Sequence, residues 1–216
     1  MHDPSRDEVI DSIQQGIMQS QTDYRKAAWL PICQGPEYLM TVYIFKSLLK
    51  LTRGDSLTLE VKPKVILDYL KAKKPPGRKP KSARLDGRGD ICLWLVGTDK
   101  PRAIIEVKKY ASQCHKDLDR VTHLLNRGLE FGILASCIQE RVKNSTNANM
   151  KKRIRDSRQS IYEAIREQLN SKSSLAVELV RYKIEPLTFG GDTPDVNEDW
   201  LWCPVIFTIY RKRNRQ

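Results

Sequence analysis

The sequence lacks the marks of a membrane or exported protein. No apolar run approaches the roughly 20 residues that a helix needs to cross a bilayer. The N-terminal stretch MHDPSRDEVI has neither the basic start nor the apolar centre of a secretory signal. No segment of the chain is repeated. We therefore expect a cytoplasmic protein without a membrane partner.

Cysteine is scarce and scattered. The five cysteines lie far apart, and no pair has the spacing of a zinc site. Cys92 and Cys137 fall inside predicted strands, where a thiol behaves as a small apolar group. A sulphur-ligated metal is therefore not expected, and a reducing environment fits this pattern.

Acidic residues are outnumbered by basic ones. The chain has 38 lysines and arginines against 26 acidic residues, which gives a formal net charge of +12. Such a balance favours a polyanionic partner. Nucleic acid is favoured over an anionic membrane, because no amphipathic stretch sets a purely basic face against bulky apolar residues. With 216 residues, 40% of them hydrophobic, the chain suits one large domain.

The stretch GRGDICLWLVGTDKPRAIIEVKK, residues 87–109, is the centre of the chain. Its two apolar runs, separated by GTDKP, predict a β-hairpin. Side chains alternate along a strand, so Glu106 and Lys108 share one face and Val107 points to the other. The hairpin returns these residues to Asp90 at the start of its first strand. Charges at the end of a buried hairpin are costly unless they pair or bind a metal, so a functional site is predicted there.

Asp90 followed by Glu106-Val107-Lys108 resembles the motif of the PD-(D/E)XK nuclease superfamily, the fold of many restriction endonucleases. Gly89 stands where the family name has proline. The resemblance implies that Asp90, Glu106 and the carbonyl of Val107 bind Mg²⁺, with Mn²⁺ as a substitute. Lys108 would orient or deprotonate the attacking water, with a lowered pKa if it is partly buried near the metal. The implied fold is mixed α/β (α+β), a restriction endonuclease-like core whose mixed sheet of four to six strands is flanked by helices.

The predicted elements before the hairpin follow the apolar pattern. Helices are expected over residues 7–20, in the short stretch YRKAAWL, after Pro36 and over 63–72, with a strand over 56–61. Glu37 falls in the first turn of the helix after Pro36. The helix dipole alone would favour a carboxylate there. The resemblance offers another interpretation, in which Glu37 is a third acidic residue of the site.

The predicted elements after the hairpin complete the order helix, three strands, helix, strand. A helix over 112–127 has an apolar stripe formed by Leu118, Val121, Leu124 and Leu125, and Arg120 is expected elsewhere on its surface. One branch of the superfamily has a Gln-x-x-x-Tyr motif here. Gln113 is present, but Asp117 stands in the tyrosine position, so that branch is not assigned. A buried strand follows over 130–138.

We expect one nuclease domain over 1–216, with a core over about 36–138 that includes a basic loop at 71–88. Residues 139–216 would add a helical region and two strands. Basic side chains of the loop and of the helical region are predicted to contact phosphates, although a solvated linker and a solvated helix face are the alternatives. These side chains are Lys73, Lys74, Arg78, Lys79, Lys81, Arg84, Arg88, Lys151, Lys152 and Arg155.

The expected activity is Mg²⁺-dependent hydrolysis of phosphodiester bonds by an endonuclease, with DNA favoured over RNA. Two alternatives stay open. One is a nucleic-acid-binding module that keeps the acids for structure. The other is a subunit of a defence or transposition complex that is inactive alone. The sequence leaves open whether the protein works as a homodimer or in a larger protein complex.

Overall fold

The computed structural model describes residues 3–28, 30–52, 56–70, 87–141, 147–170, 174–180, 182–189 and 198–212. Within them the helices are α1 (Arg6–Ala28), α2 (Glu37–Leu51), α3 (Pro63–Tyr69), α4 (Leu118–Leu125) and α5 (Asn147–Asn170). Short 3₁₀ helices occupy Ile32–Gln34 and Ala111–Asp117. The strands are β1 (Leu57–Val61), β2 (Gly89–Trp94), β3 (Pro101–Val107), β4 (Phe131–Arg141), β5 (Leu175–Val180), β6 (Glu185–Phe189) and β7 (Glu198–Arg211).

The strands form one seven-stranded sheet in the order β1-β2-β3-β4-β7-β5, and β6 pairs with another part of β7. Strands β3 and β4 are parallel, whereas all other pairs are antiparallel. Parallel neighbours need a crossover, which the second 3₁₀ helix and α4 supply. This crossover begins directly after β3, so its residues lie close to Glu106 and Lys108.

Helices cover both faces of the sheet. Ala103, Ile105 and Val107 of β3 pack into the core beneath α1 and α2. Ile104 packs into the opposite core with α3, α4 and α5. Since side chains alternate, Glu106 points away from Val107, as the sequence predicts, and falls on the α4 face.

The two helices on the first face lie unusually close together at Gly16. A Cβ atom on Gly16 would stand 2.5 Å from the Cα of Ile44 in α2, so only glycine permits this approach. The tight packing of α1 on α2 fixes the position of α2, and with it the position of Glu37 at its start.

The mixed α/β class is confirmed, but the sheet has seven strands rather than four to six. The additional strand is β6, so the C-terminal region contributes three strands instead of two. The sequence did not predict β6 because it contains Pro186. Proline is tolerated only at positions of a sheet that need no N–H donor. Strand β7 lies in the middle of the sheet, between β4 and the outer strands β5 and β6.

Two helix predictions are also corrected. The stretch YRKAAWL is not a separate helix, since α1 continues to Ala28 and no glycine or proline interrupts it there. The helix expected over 112–127 is α-helical only from Leu118, and the segment before it is 3₁₀. The stripe of Leu118, Val121, Leu124 and Leu125 is buried as predicted.

The described residues include no helix that is long and apolar enough to span a membrane.

Candidate active site

The hairpin brings Asp90 next to Glu106-Val107-Lys108. Strands β2 and β3 pair with Ile91 opposite Ile105, so Asp90 lies level with Glu106. Asp90 Oδ2 accepts a hydrogen bond of 2.6 Å from the backbone N–H of Val107. The same oxygen lies 4.0 Å from Lys108 Nζ. The predicted juxtaposition of these residues is thus present in the structure.

Glu37 reaches the same place from the start of α2. Its Oε2 atom accepts a hydrogen bond of 2.7 Å from the backbone N–H of Lys109, and its Oε1 atom lies 3.7 Å from Lys108 Nζ. Glu37 therefore lies in the first turn of α2 and also belongs to the charged cluster, so the two interpretations of this residue are compatible. Its role in catalysis stays a prediction.

Two further charged residues of the crossover complete the cluster. Asp117 Oδ2 lies 2.8 Å from Lys108 Nζ. Arg120 lies against both oxygens of Glu106, with Nε 2.8 Å from Oε1 and Nη2 3.1 Å from Oε2, and it also pairs with Asp117. Its Nη1 atom donates to the carbonyl of Arg88 at 2.9 Å. Arg120 therefore links β3, the crossover and the segment before β2.

The expectation that Arg120 lies on the helix surface is wrong, because only 5% of it is exposed. A signal was present in the spacing. Arg120 precedes Leu124 by four residues and follows Asp117 by three, so all three share one helical side. Arg120 was not expected on the buried stripe of α4 because its side chain is charged.

The cluster has a buried floor and a more open rim. We call Glu106, Asp117 and Arg120 the floor, since their side chains are at most 6% exposed. We call Glu37, Asp90 and Lys108 the rim, where the exposed fractions are 40%, 26% and 15%. Solvent therefore reaches the cluster on the side of Glu37.

The pKa values reflect this arrangement. Burial raises the pKa of Glu106 well above its usual range, although the charge of Arg120 opposes the shift. Burial also raises the pKa of Asp90, against the hydrogen bond from Val107 and the charge of Lys108. Folding therefore makes both carboxyl groups easier to protonate than they are in the unfolded chain.

Lys108 lies among carboxyl groups that determine the direction of its pKa shift. Burial alone would lower the pKa of Lys108, but the hydrogen bond to Asp117 and the charges of Asp90, Asp117 and Glu37 outweigh burial, so the pKa is raised. A lowered pKa is expected beside a bound metal and stays a prediction for that state, whereas in the metal-free cluster the surrounding carboxylates raise the pKa. A lysine held in its charged form donates hydrogen bonds and stabilises negative charge, but it is a poor proton acceptor.

The donor set of the site is of the kind that Mg²⁺ prefers, namely carboxylate oxygens and a backbone carbonyl. Four carboxyl groups (Glu37, Asp90, Glu106 and Asp117) face two cationic side chains (Lys108 and Arg120). Among the described residues none donates a hydrogen bond to the buried Glu106 Oε1, although Arg120 Nε lies 2.8 Å from it. In the part of the chain that the structure describes, no three His, Cys, Asp or Glu side chains are placed to hold a metal ion as they stand.

The basic residues predicted to contact phosphates are only partly described. Lys73, Lys74, Arg78, Lys79, Lys81 and Arg84 lie outside the described residues. Arg88 forms an ion pair with Glu60 of β1. Lys151, Lys152 and Arg155 are exposed in the first half of α5.

That half of α5 lies at the same end of the sheet as the site. Val107 pairs with Ala135, and β4 continues beyond this level to Glu140 and Arg141. Glu140 forms an ion pair of 3.1 Å with Arg153 of α5. Five strand residues span about 16 Å, so the exposed lysines lie within the reach of a polyanion bound at the site.

A disulfide joins Cys33 to Cys137 across 104 residues. The interpretation of Cys137 as a free apolar thiol is therefore wrong, whereas Cys92, Cys114 and Cys203 are free and buried. The bond connects the segment before α2 to β4 close to the site. Ser136, the neighbour of Cys137, donates a hydrogen bond of 2.7 Å to the carbonyl of Lys108.

Neither a protein-family model, nor a curated protein, nor a solved structure matches this chain. The assignment of a function therefore depends on the geometry of the site and on the motif.

Proposed function

We propose that this protein is a metal-dependent nuclease, most simply a DNA endonuclease, with the restriction endonuclease-like fold of the PD-(D/E)XK superfamily. The observation that carries the proposal is the convergence of Asp90, Glu106 and Lys108 at the end of one hairpin, next to a parallel β3–β4 pair. The excess of carboxyl groups over cationic groups in the cluster supports a site for a divalent cation.

Asp90, Glu106 and the carbonyl of Val107 would hold Mg²⁺, or Mn²⁺ in its place. A bound divalent cation supplies neutralisation of the phosphate charge and a water of lowered pKa. Asp90 is the most direct candidate for this role, because part of its side chain is open to solvent. Glu106 meets Arg120 on the floor, so Arg120 holds the Glu106 carboxylate in a fixed orientation.

Lys108 would act as a charged donor. Its amine lies between Asp117 on the floor and the rim carboxylates, and its raised pKa keeps the proton on the nitrogen. In that form it orients the attacking water by hydrogen bonding and stabilises charge on the phosphate. Glu37 would position Lys108 and the chain at Lys109 through its two contacts.

The experiment is cleavage of supercoiled plasmid, single-stranded DNA and structured RNA by the purified protein with Mg²⁺, Mn²⁺ or EDTA. Asp90→Ala and Lys108→Ala should each lower cleavage by at least about 100-fold, the usual effect of removing such a group. Lys46→Ala is the matched control, since this exposed lysine lies in the middle of α2. Cleavage that survives Lys108→Ala, or that persists in EDTA, would contradict the assignment.

A nucleic-acid-binding module is the second candidate. Lys108 and Arg120 already neutralise part of the carboxylate cluster without a metal, which is what a purely structural ion network would do. Salt-sensitive binding of nucleic acid with no cleavage of any substrate would favour this candidate. Cleavage that requires an added protein would favour the subunit of a larger complex.

We also propose a homodimer, because cutting two strands usually takes two active sites, and a cytoplasmic location, which the three buried free thiols favour. The Cys33–Cys137 bond stands against a reducing location, and titration of the thiols after unfolding shows whether the bond forms.

A further inference from the structure

Two exposed tyrosines flank the open side of the site. Among the described residues, Tyr38 is 55% and Tyr110 is 43% exposed. Each follows one partner of the hydrogen bond between Glu37 and Lys109. Since neighbouring Cα atoms are about 3.8 Å apart, both tyrosines start from the rim of the cluster.

The exposed fractions of the charged side chains show where the cluster opens to solvent. Exposure falls from 40% at Glu37 to 15% at Lys108, and it reaches 0% at Glu106. The opening is therefore on the side of Glu37, where Tyr38 belongs to the same helical turn. Burial of these rings would contribute to stability, yet the fold leaves about half of each residue exposed, so part of the ring surface stays available to a ligand.

Cationic side chains lie at the same end of the sheet as this opening. Lys109 Nζ lies 5.4 Å from the centre of the Tyr110 ring. Lys151 and Lys152 are exposed at this end of the sheet. Proteins bind single-stranded nucleic acid on surfaces that combine aromatic rings with cationic side chains. The bases stack on the rings, and the phosphates pair with the cations.

We propose that Tyr38 and Tyr110 form a stacking platform for unpaired bases, so that the site takes a single-stranded nucleic-acid segment. Bases in an intact duplex are already stacked on one another and do not present their faces. The inference rests on the proposed function insofar as it names the substrate class of that site. The platform itself is a binding surface that exists whether or not the site cleaves.

Binding is measured by fluorescence anisotropy in the Lys108→Ala protein, so that cleavage does not interfere. The ligands are labelled oligothymidylate, oligouridylate of the same length, and a DNA duplex of that length. The double substitution Tyr38→Ala/Tyr110→Ala should weaken single-strand binding by about tenfold or more and change duplex binding little. The double substitution to phenylalanine should retain binding, because the rings remain.

Tyr69→Ala is the matched control. Tyr69 is 48% exposed, but its ring lies 5.1 Å from that of Trp94, at the opposite end of β2 from Asp90. This variant should bind single strands as the Lys108→Ala protein does. A strand that contains 2-aminopurine gives a second signal, since quenching by stacking should be lost only in the double alanine variant.

The outcomes separate the platform from the nuclease. Equal loss of single-strand and duplex binding, no loss at all, or no binding of nucleic acid would overturn the platform, even if the wild type cleaves DNA. Ring-dependent binding of single strands by a protein that never cleaves would support the platform and reject the nuclease. The comparison of oligothymidylate with oligouridylate shows whether the strand is DNA or RNA.

Discussion

The floor and the rim of the site contain the same types of charged group in different surroundings. On the floor, Glu106 and Asp117 share Arg120 in nearly complete burial, so each charge depends on its partners. On the rim, Glu37 and Asp90 contact solvent and hold backbone N–H groups of the strand end. The comparison indicates that the floor maintains the folded site, whereas the rim is free to meet a substrate. Substitutions of Asp117 and Arg120 should therefore affect mainly stability and those on the rim mainly activity, whereas Glu106, as a proposed metal ligand, should affect both.

The largest effect is expected from Arg120→Met. Loss of the guanidinium leaves Glu106 and Asp117 buried without their shared partner, and removal of one partner of a buried ion pair costs about 3–5 kcal/mol of unfolding free energy. The loss of unfolding free energy is measured by urea denaturation, with circular dichroism as the signal. The control is Arg153→Met, which removes an ion pair with Glu140 at the surface and should cost about 1 kcal/mol or less. Equal urea midpoints for Arg120→Met and Arg153→Met would contradict the proposal that the floor contributes more to stability than a surface ion pair.

The disulfide connects the segment before the rim helix α2 to β4, and its reduction should produce the next largest effect. A native disulfide that closes a long loop contributes about 2–4 kcal/mol to unfolding free energy. The measurement is urea denaturation with and without dithiothreitol, for the wild type and for Cys33→Ala. Reductant should destabilise only the wild type. Thiol titration after unfolding should find three free thiols in the oxidised protein, and five would show that the bond does not form.

The pH dependence of stability tests the rim without a metal. Because the pKa of Asp90 is raised above its ordinary value of 3.8, folding favours the protonated carboxyl. The resulting stabilisation is present below that value and is lost as pH rises through the folded pKa. The unfolding free energy of the wild type should therefore fall, relative to that of Asp90→Asn, as pH rises from about 4 to 8 in EDTA. A difference that stays constant or rises over this range would mean that burial does not dominate at Asp90.

The smallest effect on stability is expected from Glu37→Gln. The amide oxygen still accepts the hydrogen bond from Lys109, and only a half-exposed carboxylate is lost, so unfolding free energy should change by about 1 kcal/mol or less. Cleavage should nevertheless fall by about 10- to 100-fold if Glu37 positions Lys108. Glu140→Gln, at a surface ion pair, is the control for both measurements. A large loss of stability with unchanged cleavage would place Glu37 with the floor.

Much of the site follows from local pattern. The alternation along β3 places Glu106 and Lys108 on one face, and the GTDKP turn returns β3 to Asp90. The stripe of Leu118, Val121, Leu124 and Leu125 follows from helical spacing in the same way. These features depend on backbone geometry that is the same in any strand, turn or helix, so the sequence determined them by itself.

Only the tertiary structure decided which charges and thiols meet. Glu37 reaches Lys109 across 72 residues, and Cys33 reaches Cys137 across 104. Arg120 is buried because the crossover from β3 to β4 places it above Glu106, where its charge is matched. The raised pKa of Lys108 follows from carboxyl groups of three separate segments. Such contacts depend on how distant elements pack, and local sequence pattern does not contain that information.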